Sequence, residues 1–236
     1  IVYVDYNTAQ RGNPHVDPEY TNSVELGYNL SFSHNTFSAT LFHRARKDKI
    51  ERLRVPYHTS VTLDSIANVG NDYATGIDLS ATSQLKRFWN LDANTSFYYY
   101  RIDNQFKIDN DEESWNWQLA VNNNFDVAKD TRMRLEAYYV GPMVSTQGRV
   151  DGFFYLNFTV SQQLMKRSLT ASLMVRDVLS TAEYIHKRAG EGMESLSKIY
   201  PRSPLFTVSL SYTFNNFKRQ QQAERANHDM FEGTNR

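Results

Sequence analysis

Alternation of period two, sustained over stretches of ten or more residues, is the feature that most limits what this chain can fold into. From Phe153 to Gln163, Phe154, Leu156, Phe158 and Val160 fall on one side, and Tyr155, Asn157, Thr159 and Ser161 on the other. After the polar turn Met165-Lys166-Arg167-Ser168, Leu169, Ala171, Leu173 and Val175 alternate with Thr170, Ser172, Met174 and Arg176. A helix would scatter these residues around its axis, whereas a strand sorts them onto two faces. The same pattern predicts nine strands, near 20–32, 36–50, 72–83, 89–102, 113–126, 131–143, 151–163, 168–180 and 204–214. Strands of globular proteins peak at about 5–6 residues. A tilted strand needs about 9–11 to cross a bilayer. The lengths therefore favour an all-β, transmembrane antiparallel barrel over a soluble sandwich.

The composition fits that choice. No run approaches the roughly 18 apolar residues of a transmembrane helix, and mean hydropathy is −0.60. Barrel strands alternate and so average to polar. Aromatics reach 14%, enough to supply interfacial girdles. Lys plus Arg and Asp plus Glu are both 26, which gives no basic excess for nucleic acid. With no cysteine there is neither a disulfide framework nor a thiolate metal site.

The connections alternate in length. Those at 33–35, 84–88, 127–130 and 164–167 are short; those at 51–71, 103–112, 144–150 and 181–203 are long. Outer-membrane barrels have short periplasmic turns and long extracellular loops. On that parity residues 1–19 form an extracellular segment, 20–214 the barrel strands and 215–236 a polar periplasmic tail. The opening residues, Ile1 to Tyr6, have no signal-peptide pattern and read like the middle of a loop. Nine strands do not close an even-numbered barrel. An open edge in lipid leaves backbone groups unpaired, so further strands are expected from the same precursor or from a partner.

Four stretches resemble TonB-dependent receptors, especially the outer-membrane barrel group common in Bacteroidetes. Gly12-Asn13-Pro14-His15-Val16-Asp17-Pro18-Glu19, followed by Glu25-Leu26-Gly27, is similar to that group's GNP…PE…ELG signature, with Val16 where Leu is usual. Leu41-Phe42-His43-Arg44 with Asp48-Lys49-Ile50 resembles its F-x-R…D-x-I strand. Asn68-Val69-Gly70 leading to Gly76-Ile77-Asp78-Leu79 resembles N-x-G…G-x-E-L, with Asp78 for Glu. Val175-Arg176-Asp177-Val178-Leu179-Ser180-Thr181 is similar to the penultimate-strand motif. The terminal strand, with Val208, Leu210, Tyr212 and Phe214 on one face, looks like the signal read by the barrel-assembly machinery. The resemblance implies the last nine strands of a barrel of roughly 22. It also implies an upstream plug that TonB pulls on, and import of a scarce or large nutrient such as a siderophore, haem, glycan or peptide. The surroundings would be outer-membrane lipid and lipopolysaccharide. The alternative is a structural barrel subunit of an outer-membrane complex, without transport of its own.

Candidate contacts follow from face and position. Arg44, Arg46, Asp78, Asp92, Arg134, Glu136 and Arg176 fall on the polar side of their strands, where they would line a lumen or form ladders with one another and with a plug. Tyr57, Phe153, Tyr184 and Tyr200 lie in or beside the long connections, placed to stack on sugars or to anchor the interface. The acidic stretch Lys107 to Glu113 offers clustered oxygens but not the EF-hand spacing. His15, His34, His43, His58, His186 and His228 are scattered without the i, i+4 spacing of a helical zinc site. His58 and His186, in long connections, are the candidates for external haem ligands. No catalytic triad or nucleophile-elbow pattern is present, so the chain reads as a non-enzyme that needs no cofactor.

Overall fold

A computed structural model describes residues 1–105, 113–190 and 193–214. The stretch Lys107 to Glu113 (all but its last residue), His228 and the tail 215–236 lie outside the described residues. Seventeen strands and one short 3-10 turn are present among those described.

Nine strands form one antiparallel sheet: β3 (Tyr20–Phe32), β4 (Asn35–Lys47), β7 (Gly70–Lys86), β8 (Trp89–Asn104), β9 (Glu113–Ala128), β10 (Thr131–Val140), β13 (Phe153–Leu164), β14 (Leu169–Arg176) and β17 (Leu205–Tyr212). Every pairing is between neighbours of this series, with β3 and β17 at the edges. The register keeps the apolar residues together. One row runs Tyr28–Ala39–Leu79–Thr95–Leu119–Tyr139–Phe154, each residue opposite the next. A lower row on the same face ends in Phe158–Val175–Phe206. A one-residue slip in any pair would turn a strand's apolar set to the other side.

The nine predicted strands correspond one to one with these nine, and only their ends move. The second stops at Lys47, because Asp48 takes φ 55 and turns the chain. The sixth stops at Val140, before Gly141-Pro142. The eighth stops at Arg176, because Asp177 takes φ 50. β7 is longer than expected at both ends.

The long connections and the first nineteen residues are not plain loops, and here the expectation is corrected. β1 (Val2–Asp5), β2 (Thr8–Arg11), β5 (Ile50–His58) and β6 (Val61–Asn68) make one small sheet, with β2 parallel to β6. β11 (Met143–Ser145), β12 (Gly148–Val150), β15 (Tyr184–Gly190) and β16 (Met193–Ile199) make another. These strands run from three to nine residues. They form because neighbouring long connections lie close enough to satisfy one another's backbone groups.

Candidate functional site

The face opposite the apolar rows is a polar ladder, and its pairs follow from the register. Glu25 and Arg44, from neighbouring strands, meet at 2.9 Å. Ser38 and Ser80 share a short hydrogen bond, and the Ser96 hydroxyl donates to Asp78 at 2.5 Å. Thr82 donates to Asp92 at 3.0 Å, and Arg134 donates to Asn124 at 2.8 Å while lying 3.6 Å from Glu136. Arg44, Arg46, Asp78, Asp92, Arg134, Glu136 and Arg176 therefore all stand on the one polar face.

Where this wall meets the first small sheet, Lys49 and Asp72 are buried. Lys49 Nζ lies 2.6 Å from Glu51 and 3.1 Å from Asp72, and donates to the Tyr100 hydroxyl at 3.0 Å. The Tyr100 hydroxyl donates in turn to Asp72 at 2.8 Å. Arg46 Nε stands 3.5 Å from both Asp72 and Glu19. Burial opposes the Lys49 charge, but the bonds to Glu51 and Tyr100 outweigh it and hold the ammonium above its ordinary range. Leu53, Val69 and Ile102 form the apolar centre beside this network.

The motifs found in the sequence turn out to be the ties of this junction. Asn13 accepts from the His15 amide, closing a local turn, and donates to the Ile66 carbonyl. Asn68 accepts from Asp17 N–H and donates to the carbonyls of Asp17 and Asp48. Glu19 accepts the Ile50 amide at 2.8 Å. Gly76 sits between Phe42 and Tyr98 in the register, and the two rings close over it with centroids 6.1 Å apart. A Cβ there would stand 2.3 Å from Tyr98 Cβ. Asp177 caps the turn that leaves β14, accepting the amides of Thr181 and Ala182 at 3.0 Å each. Its burial disfavours the charge, but those amides more than offset it and keep the carboxyl below its usual range.

Gln147 joins the two small sheets. From the β11–β12 turn, its Nε2 donates to the Arg54 carbonyl and its Oε1 accepts the Arg54 amide, both at 2.9 Å. It thus pairs with β5 as a strand residue would. Arg54 in turn clasps Asp64 with two bonds of 2.6 and 2.7 Å. Gly148, at φ 143, permits the adjoining close approach to Lys187, whose carbonyl oxygen would lie 2.1 Å from a Cβ.

Of the four predicted aromatic contacts, two are brought together. Phe153 and Tyr184 pack with centroids 4.6 Å apart, and the cluster extends through Tyr138 and Tyr155 on the polar face. Tyr57 packs at a tilt against His58 in β5, and Tyr200 is exposed beyond β16. Tyr138 and Tyr155 were missed; their signal was an aromatic on each strand's polar side. Lys49 and Gln147 were also missed, and no local pattern marks them. His43 faces the apolar side, bonded to Thr75 at 2.7 Å, and His34 bonds Ser33 in a tight turn. Among the described residues no three metal-ligating side chains converge. Val208, Leu210 and Tyr212 lie exposed on the apolar face of the edge strand β17, with Phe214 just beyond it.

A family model described as the outer membrane protein beta-barrel family matches residues 1–212. The chain belongs to that family. Among curated proteins, none matches it. Three solved structures show the same fold. The ferric yersiniabactin uptake receptor FyuA from Yersinia pestis is 19% identical with a TM-score of 0.58, over 81% of this chain and 29% of its own. The ferric-catecholate import receptor Fiu from E. coli K12 is 15% identical with a TM-score of 0.60, over 86% and 29%. The pyoverdine receptor FpvA from Pseudomonas aeruginosa PAO1 is 16% identical with a TM-score of 0.58, over 90% and 31%. The chain thus spans less than a third of the length of each of these three receptors.

Proposed function

We propose that these nine strands are the C-terminal wall of a TonB-dependent outer-membrane importer for a scarce or large nutrient, such as a siderophore, glycan or peptide. The observation that carries this reading is the wall itself: apolar rows continuous across nine strands, backed by a hydrogen-bonded polar ladder. In lipid the free edges of β3 and β17 would cost several kcal/mol per unpaired group. We therefore infer that further strands of the same precursor pair with both. The long connections, with their two small sheets, face outward, and the tight turns and the tail face the periplasm. Arg44, Asp78, Asp92, Arg134, Glu136 and Arg176 line the lumen against a plug on which TonB acts. Tyr57, Phe153, Tyr184 and Tyr200 belong to the outer, ligand-facing side. Val208, Leu210, Tyr212 and Phe214 present the strand that the assembly machinery reads, and the apolar rows contact lipid and lipopolysaccharide.

The test uses the full polypeptide in its native outer membrane. Run unboiled and boiled, it is expected to shift in mobility and to be much heavier than 27.4 kDa. Deleting its gene or TonB is expected to abolish growth on the same limiting nutrient. A heat-shifted barrel whose loss changes no nutrient requirement would replace the importer by a structural subunit. A 27.4 kDa species that is soluble without detergent would overturn both.

A further inference from the structure

A cavity of about 490 Å³ lies in the first small sheet, and no residue of the nine-strand wall lines it. The register builds its apolar side. Leu53 stands opposite Ser65 and Val55 opposite Leu63, so these four share one face of the β5–β6 hairpin. Parallel β2 brings Arg11 opposite Ser65. Leu53 and Leu63 are buried, whereas Val55 is 38% exposed and reaches the opening. The turn Gly12 to His15 lines the other side. Asn13 holds that turn in place, donating to the Ile66 carbonyl at 3.1 Å and accepting the His15 amide at 3.0 Å. The cavity is thus set between a sheet face and a fastened turn.

Its polar groups favour one sign of charge. Arg11 and His15, both exposed, line the cavity, and no described carboxylate does. Asp64 is next to Leu63 in sequence, but it is clasped by Arg54 through two bonds of 2.6 and 2.7 Å. The Arg11 side chain has neither a hydrogen bond nor an ion pair among the described residues, and the His15 ring has none either. The guanidinium is therefore free to fork onto a carboxylate, and the imidazole offers a further N–H. These features separate the ligand classes. A wholly apolar ligand would leave Arg11 unused. A free metal cation would be repelled by it. A sugar would set its O–H groups against Leu53, Val55 and Leu63. An apolar body that carries an anionic group satisfies both sides at once. The volume lies within the range of about 300–1,000 Å³ usual for small-molecule sites, which pair an apolar lining with a few placed polar groups.

We propose that this cavity binds an amphiphilic carboxylate, its apolar body seated on Leu53, Val55 and Leu63 and its carboxylate received by Arg11 and His15. The inference rests on the receptor reading above for the outward position of the sheet, and it names the class of ligand captured there. Titration calorimetry on the full-length receptor in nanodiscs tests it. Naphthylacetate is the probe, naphthylacetamide its uncharged counterpart, and empty nanodiscs are the reference. The carboxylate is expected to bind about tenfold more tightly than the amide. That advantage is expected to shrink as salt rises from about 50 to about 500 mM. Arg11→Gln is expected to remove it, and Arg11→Lys, which keeps the charge without the fork, to retain part of it. Val55→Asp sets a carboxylate at the opening and is expected to weaken naphthylacetate by about tenfold or more. Both positions are exposed, and heat-shifted mobility verifies that each variant is folded. Equal binding of acid and amide would overturn the proposal. So would binding indifferent to Arg11→Gln and Val55→Asp, or binding of neither probe. The receptor reading stands or falls separately, on the TonB-dependent growth phenotype of the wild-type gene.

Discussion

Single side chains hold the loop sheets to the wall, and their loss is measurable. Gln147 makes two backbone bonds to Arg54, so Gln147→Ala leaves a half-buried strand edge without partners. Unsatisfied buried groups cost about 1–3 kcal/mol. Faster hydrogen exchange in β5 and β12, with β8 and β9 unchanged, is the expected outcome by mass spectrometry; equal exchange throughout would refute the clamp. The Arg54–Asp64 pair adds a pH dependence. Asp64 is held below its ordinary range first by hydrogen bonding from Arg54, against a smaller opposing effect of burial. Its folded pKa lies below the unfolded one, so the pair's contribution is present above the unfolded value, about 3.9. That contribution is lost as pH falls through the folded value. Protection of β5 and β6 amides, corrected for intrinsic rates, should therefore decline below about pH 4 in the wild type, and not in Arg54→Gln. Gly76 is the third such position. Gly76→Ala must push Tyr98 and the Phe97 carbonyl aside, 2.3 and 2.4 Å from the new Cβ. A loss of roughly 1–3 kcal/mol in the free energy of urea unfolding is expected. The sequence displayed Gly76, Asn13, Asn68 and Asp177 as motif residues, but not what they do, because each acts on a partner at least several residues away and often in another strand. Gln147 has no such motif, since an amide that mimics a strand residue looks locally like any polar turn.

The elements divide by how they are encoded. The nine wall strands were legible because apolar and polar residues alternate along each, a pattern written within its own residues. The eight short strands were not, because their pairing depends on which connections the wall brings side by side, as with parallel β2 and β6. The tight turns show a different economy. Met165, Lys166 and Arg167 all take left-handed φ of 51, 54 and 71. A side chain there costs roughly 1–2 kcal/mol, which glycine avoids. The turn is tolerated because Ser168 N–H bonds the Met165 carbonyl at 3.2 Å and Arg167 reaches Asp130 at 3.0 Å. Lys166→Gly, which leaves both bonds in place, should raise the free energy of urea unfolding of the reconstituted receptor by about 0.5–1 kcal/mol. A fall would mean that entropy gained by the unfolded chain exceeds the strain relieved.

At the scale of the molecule, the two faces of the wall make opposite demands, and a matched pair of charges separates them. Leu79 sits mid-strand in β7, in the row Tyr28–Ala39–Leu79–Thr95–Leu119, and is 41% exposed on the apolar side. An arginine there would have to be desolvated near the bilayer midplane, at about 2–4 kcal/mol. Asn122 lies on the polar side of β9, opposite Asp92 in β8 and Glu136 in β10. An arginine at that position gains two carboxylates within reach and loses no lipid contact. Leu79→Arg is therefore expected to lower the unfolding free energy of the receptor in liposomes by that amount, and Asn122→Arg to change it by less than about 1 kcal/mol. The comparison matters because a soluble sheet would respond the other way. With water on both faces, arginine at exposed Leu79 would cost almost nothing, and the two variants would unfold together. Equal midpoints would thus remove the bilayer from the account of this sheet, whatever the similarity of its backbone to the receptors. A separation of the expected size would identify lipid as the solvent that keeps nine strands of alternating sequence in one register.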